Sequence, residues 1–149
     1  MKIITNKDIL HRKCETMSFN QSLEIKRKMH RFLLMNKSIS SNTLGLACNQ
    51  LGLEGRVIMY RANPNHKMNF LINPIILEKS NDMITTKEYC LSVPSKSVSI
   101  ERHKKVVLMH TTGLYNVWEY LKPNSSESIV IQHEIEHLDG ILISDYLPI

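Results

Sequence analysis

The segment "NSSESIVIQHEIEHLDG", residues 124 to 140, constrains the fold of this chain more than any other stretch. Its "NSSES" start offers N-cap hydroxyls and an early Glu127, and Gly140 supplies a C-terminal stop, so a helix is predicted up to that glycine. Within it, Ile129, Val130, Ile131 and Ile135 are β-branched, and apolar side chains fall on nearly every face. Such residues are not strong helix formers, so burial between sheets must hold this helix.

The sheets are legible upstream. Strand candidates "RVIMYR", "NFLINP", "IILEKS", "VSIERH", "KVVLMHT" and "NVWEYL" follow one another, separated by Asn, Pro, Gly and Ser signals. No helical pattern lies between them, which implies hairpins and antiparallel or mixed sheets rather than βαβ units. Residues 18 to 37 read as one N-terminal helix capped by Ser18, with an apolar stripe of Ile25, Met29, Phe32 and Leu33. Lys26, Arg27, His30 and Arg31 on the other face read as solvated, and Met29 and Met35 as core filler. The small-residue segment "TLGLACNQLGLEG" reads as a loop that passes close to something. The expected architecture is α+β: antiparallel or mixed sheets packed around a central C-terminal helix, with one N-terminal helix.

At 149 residues the chain is one domain's worth, 1–149, and a chain of that size buries roughly 70% of its unfolded surface. Its 42% apolar and 22% charged content is that of a soluble globular protein. No apolar run approaches a membrane span and the opening "MKIITNKDIL" lacks the pattern of a signal peptide, so a cytoplasmic location with no membrane partner is expected. Three cysteines, Cys14, Cys48 and Cys90, point to reduced thiols or a metal ligand rather than a disulfide scaffold. The net charge of +5 allows loose contact with a ribosome surface, without a motif for specific nucleic-acid binding.

On the C-terminal helix, His133 and His137 lie one turn apart and project the same way, so both imidazoles can reach one ion. Glu134 follows the first, completing an HExxH arrangement. A third ligand is needed, and little chain remains to supply it. The metzincin pattern continues through Gly140 but requires a histidine where Ile143 stands, and only Asp139 and Asp145 are nearby carboxylates. The ligand is therefore sought upstream. Cys90, in "KEYCLSVP", stands out as a residue between strands, and a thiolate with two imidazoles leaves a fourth position open. HExxH spacing alone does not single it out.

Three stretches in order, "LGLACNQ", "EYCLS" and "QHEIEHLDG", resemble the three motifs of the peptide deformylase family, written G-φ-G-φ-A-A-x-Q, E-G-C-L-S and Q-H-E-x-D-H. "LINPIILEKS", "ERHKKV" and the closing "DYL" are similar to segments in the same places, so the resemblance covers nearly the whole chain. It implies removal of the N-formyl group from the formylmethionine of nascent polypeptides; a monomer is expected, a point on which the resemblance is silent. It also implies one Fe²⁺ held by Cys90, His133 and His137, at a site whose ligands also accept Zn²⁺. Glu134 would be the general base and acid, with Gln50 and the Leu91 N–H stabilising the oxyanion. Leu44, Gly45 and Tyr89 would bind the peptide through their backbones as an added strand, Ile129 and Val130 would receive the methionine side chain, and Glu88 would pair with Arg102.

The chain departs from the pattern at Thr43, Cys48, Asn49, Tyr89 and Glu136, and of these Tyr89 matters most because its ring can reshape the cleft mouth. The absence of a helix after "DYL" resembles short, viral-type members. Two rivals are a metallopeptidase, which the missing downstream ligand disfavours, and a non-catalytic metal-stabilised domain or basic nucleic-acid binder, which would have no use for Glu134 and Gln50.

Overall fold

The computed structural model describes residues 1–113, 115 and 117–148. Near the start, the Asn6 side chain accepts from the N–H groups of Asp8 and Ile9 and opens the short helix α1 (Lys7–Leu10). Ser18 caps α2 (Phe19–Met35) in a reciprocal box with Gln21, which satisfies donors that the first turn leaves free. Ile25, Met29, Phe32 and Leu33 are buried along α2, as their spacing predicts, and Arg27, His30 and Arg31 on the opposite face are exposed. Met35 is the exception: it closes the helix beyond the face that meets the sheet and is 77% exposed, so it fills no core. Asn36, at φ −128° and ψ 67°, breaks the helix, and the polar run after it forms a separate turn of helix, α3 (Lys37–Asn42).

All strand pairings are antiparallel. The strands β1 (Gly45–Ala47), β2 (Val57–Tyr60) and β3 (Asn69–Ile72) form one sheet in that order. A second sheet has β4 (Ile75–Lys79) beside β7 (Val106–Thr112), with β8 (Val117–Leu121) at its other side. A third is the long hairpin of β5 (Met83–Cys90) and β6 (Val93–His103). The six predicted strands are all present, although Asn116, at the start of the last, lies outside the described residues.

The helix α4 (Ser125–Leu138) begins at Asn124, whose side chain accepts from the Glu127 N–H while the Glu127 carboxylate reaches back to the Asn124 N–H. Ile131, Ile135 and Leu138 join the main apolar core with the fully buried strand β2 and with Ile25, Met29 and Phe32 of α2. The predicted burial of this helix is therefore realised against β1 and β2. Gly140 ends it at φ +78°, a conformation that L side chains rarely adopt, with no room for a Cβ beside the His11 carbonyl. A smaller apolar cluster of Leu10, Val93, Val98, Ile100, Leu142 and Ile143 packs around Cys90.

Candidate metal centre and cleft

Two elements deliver the predicted ligands. His133 and His137 come from consecutive turns of α4, with ring centroids 5.0 Å apart. Cys90 is the last residue of β5 rather than a residue between strands. The hairpin register slips there: Tyr89 pairs with Ser97, but Cys90 pairs with Val93, leaving Pro94, Ser95 and Lys96 outside the ladder. Such an irregularity re-aims side chains. Tyr89 is 68% exposed and Cys90 is buried.

One donor atom from each of Cys90, His133 and His137 lies within 4.8 Å of the others, and Cys90 Sγ is 3.2 Å from His137 Nε2. A thiolate and an imidazole on one tetrahedral metal stand roughly 3.5 Å apart, so the residues present fit such an ion after small adjustment. His133 is oriented through its other nitrogen, Nδ1, which is 2.8 Å from Glu88 Oε1. Glu88 in turn accepts from Arg102 Nε and Nη2, each at 2.8 Å, and from the Thr86 hydroxyl at 2.6 Å. The predicted Glu88–Arg102 pair is thus present, and it also aims a ligand, as carboxylates behind metal-binding histidines do. Arg102 Nη1 is 2.8 Å from Glu136, which accepts from the Tyr146 hydroxyl.

Burial and neighbouring charges act differently on each group here. Burial works to raise the Glu88 carboxyl, but Arg102, His133 and Thr86 hold it at about 2. Burial pulls His133 down, yet Cys90 and Glu88 beside it raise it to about 10. Burial and the nearby His133 and Arg102 push His137 well below the usual histidine range, so its imidazole is neutral with a lone pair to offer. Burial pushes Glu134 up to about 7 against the pull of His133. Its Oε1 is 4.0 Å from His133 Nε2, and Oε2 has no hydrogen-bond partner among the described residues. A buried carboxyl so poised can accept or give a proton near neutrality.

Gln50 sits in the tight turn Cys48–Leu51. Its Oε1 accepts from the Ala47 N–H at 2.9 Å, which turns Nε2 towards Ser92 Oγ at 3.1 Å and Cys90 Sγ at 3.6 Å. Next to it, Asn49 Nδ2 donates to the His137 carbonyl at 2.7 Å and ties the turn to α4. Cys48, one of the departures from the family pattern, is fully buried, with its thiol donating to the Gly55 carbonyl at 3.1 Å.

A cleft of about 650 Å³ opens beside these groups. Leu44, Gly45, Gln50, Tyr89, Cys90, Leu91, Ile129, Val130, His133 and Glu134 all line it, while His137 lies deeper. Gly45 is where the predicted close approach occurs: a Cβ there would stand 2.6 Å from Glu134 Oε1 and 2.8 Å from Val130 Cγ1. The contributions of Asn49, Ser92, Glu136 and Tyr146, and the bond from Glu88 to His133, were not anticipated. Ser92 lies within the quoted "EYCLS" stretch, but the partners of these side chains are distant in sequence, and no local spacing announces them.

An open-faced thiol–imidazole ligand set on a substrate-sized cleft places the protein among the metal-dependent hydrolases. Its sequence narrows the class, because the chain belongs to the polypeptide deformylase family, whose sequence profile matches residues 1–148. It is similar to the peptide deformylase of Buchnera aphidicola subsp. Cinara cedri, 37% identical over 72% of this chain and 72% of that one. The Finegoldia magna peptide deformylase is 34% identical over 82% of this chain and 72% of its own. Among solved structures, the Met-Ala-Ser-bound class I type b peptide deformylase of Acinetobacter baumannii superposes with a TM-score of 0.83 at 27% identity, covering 99% of this chain and 98% of that one. A probable peptide deformylase from Synechococcus phage S-SSM7 gives 0.78 at 30% identity over 99% of both chains.

Proposed function

We propose that this chain removes the formyl group from formylmethionine at the start of nascent polypeptides, and that the cleft residues divide the work as follows. Cys90, His133 and His137 would hold a divalent metal, Fe²⁺ in the native enzyme, which when bound would supply Lewis acidity that brings a water's pKa towards neutrality. Glu134 takes the proton from the attacking water and later gives it to the departing amine. The Gln50 amide and the Leu91 N–H donate to the formyl oxygen as it gains charge, each worth about 3 to 4 kcal/mol by the measure of other oxyanion holes. The peptide adds as a strand along Leu44, Gly45 and Tyr89, with its methionine side chain against Ile129 and Val130. Neither β1 nor β5 has a strand partner on its second edge among the described residues, which supports this binding mode.

One observation carries the reading: Cys90, from a hairpin, meets both HExxH histidines beside a buried glutamate and a fixed glutamine amide. The chain works as a single-domain monomer in the cytoplasm, and its positive balance suits a passing contact with the ribosome surface. No helix among the described residues is long and apolar enough to cross a membrane. The test is hydrolysis of formyl-Met-Ala-Ser by protein purified anaerobically, with acetyl-Met-Ala-Ser as the comparison. Only hydrogen fits on the carbon that the water and the two donors must surround, so the formyl peptide reacts far faster. Comparable kcat/KM for the two would indicate a broad amidase instead.

A further inference from the structure

The cleft wall carries a charge pattern that formyl hydrolysis does not use. Of its charged lining residues, Glu88, His133 and Glu134 are wholly or largely buried around the metal ligands. The exposed ones are Lys87 and Lys96. Among the described residues, no carboxylate is ion-paired with either lysine. Ser38, Ile39, Asn42 and Thr43, which also line the cleft, are uncharged. A cation at this rim therefore has no carboxylate partner among the described residues and no charge among those four lining residues.

Position decides what these cations meet. Lys87 and Tyr89 alternate with buried Glu88 on β5, and Lys87 Nζ lies 6.0 Å from the centre of the Tyr89 ring. At ~3.3 Å per residue, Lys87 is roughly 10 Å up the strand from Cys90. A peptide with its formyl group at the metal ligands and its backbone along that edge sets its residues after methionine beside Tyr89 and then Lys87. Lys96 approaches from the irregular part of the hairpin next to Ser95, whose φ of +64° marks the bend.

Building on the function proposed above, we infer that Lys87 and Lys96 are specificity-determining residues that favour formyl peptides with a carboxylate side chain at the third position. Exposed charges interact modestly in water and are screened by salt, so the preference is severalfold and fades with ionic strength.

The test measures kcat/KM of the metal-loaded enzyme on formyl-Met-Ala-Glu, formyl-Met-Ala-Ser and formyl-Met-Ala-Lys, all as C-terminal amides so that the third side chain carries the only charge, at about 20 mM and about 0.5 M salt. At low salt the glutamate peptide is expected to exceed the lysine peptide by about three- to tenfold, with serine between them, and the gap to close at high salt. The double variant Lys87→Glu, Lys96→Glu is expected to reverse the order while keeping formyl-Met-Ala-Ser turnover within about twofold of the parent. Equal rates for the glutamate and lysine peptides at low salt, or an unaltered preference in the double variant, would overturn the inference. Turnover of formyl-Met-Ala-Ser reports separately on the deformylase assignment: its complete absence would sink that assignment and the rim with it.

Discussion

Adding a single methyl group at Gly45 tests the contact between β1 and α4 on which the site depends. In Gly45→Ala the new carbon would lie 2.8 Å from both Glu134 Cγ and Val130 Cγ1, and 2.6 Å from Glu134 Oε1. Carbon contacts settle at ~3.5 to 4.0 Å, so the helix side chains must retreat, or β1 must lift, by roughly 0.7 to 1.2 Å. Overpacking of this kind costs about 1 to 3 kcal/mol. For a chain of this size that lowers Tm by roughly 2 to 12 °C. Displacing a catalytic group by about 1 Å costs on the order of a hundredfold, so kcat on formyl-Met-Ala-Ser is expected to fall about 10- to 100-fold. Metal content should stay whole, since no ligand is touched. Adding Val130→Ala removes one clash and leaves the other, so part of the lost Tm returns while kcat does not. A Gly45→Ala enzyme with the parent's kcat and Tm would show that β1 does not pack on α4 as described.

Other substitutions separate the remaining roles. Glu134→Gln is expected to keep metal and fold and to lose at least about two orders of magnitude in kcat, and parental activity would remove Glu134 from the proton path. Cys90→Ser exchanges a thiol that deprotonates on a metal for a hydroxyl that does not, so metal analysis after dialysis should show depleted occupancy; full, tight binding would place the third ligand elsewhere. Because Glu88 is held at about 2 against an ordinary 4.5, its contribution is complete above pH 4.5 and drains away as pH falls towards 2. Urea unfolding should therefore find Glu88→Gln weaker than the parent by about 3 kcal/mol at pH 7, with the gap narrowing below pH 4.5; a gap that ignores pH would contradict the bonding described. Val130→Asp should erase much of a roughly tenfold preference for formyl-Met over formyl-Gly peptides, which competition kinetics would reveal as equal rates.

Features that were legible in the sequence were those written in local chemistry. Ser18 marks its helix because a cap acts within one turn, whereas the cap of α4 is the Asn124 amide rather than a serine hydroxyl; β2 announces itself because all four of its residues are buried. Two strands escaped notice for opposite reasons. β1 is three residues long, too short for a period to show, and its glycine reads as loop. β5 is long, but only Glu88 and Cys90 are buried, so its apolar alternation is weak. The run after Asn36 forms a helix with no buried residue, which leaves no stripe to read. At the site, the HExxH spacing is local and visible, whereas the bond from Glu88 to His133 joins residues far apart in the chain and exists only once the hairpin lies against α4.

The two unpartnered strand edges also bear on when the reaction can happen. An edge that binds its substrate by adding a strand accepts extended backbone, whose N–H and C=O groups are still free. Once the first residues of a new protein have entered a helix or a sheet of their own, those groups are spent and the N-terminus no longer fits. Under the proposed strand-addition mode, the geometry of β1 and β5 would act as a clock. Deformylation belongs to the interval between emergence of an N-terminus and its folding, and the fastest-folding starts leave the enzyme the least time.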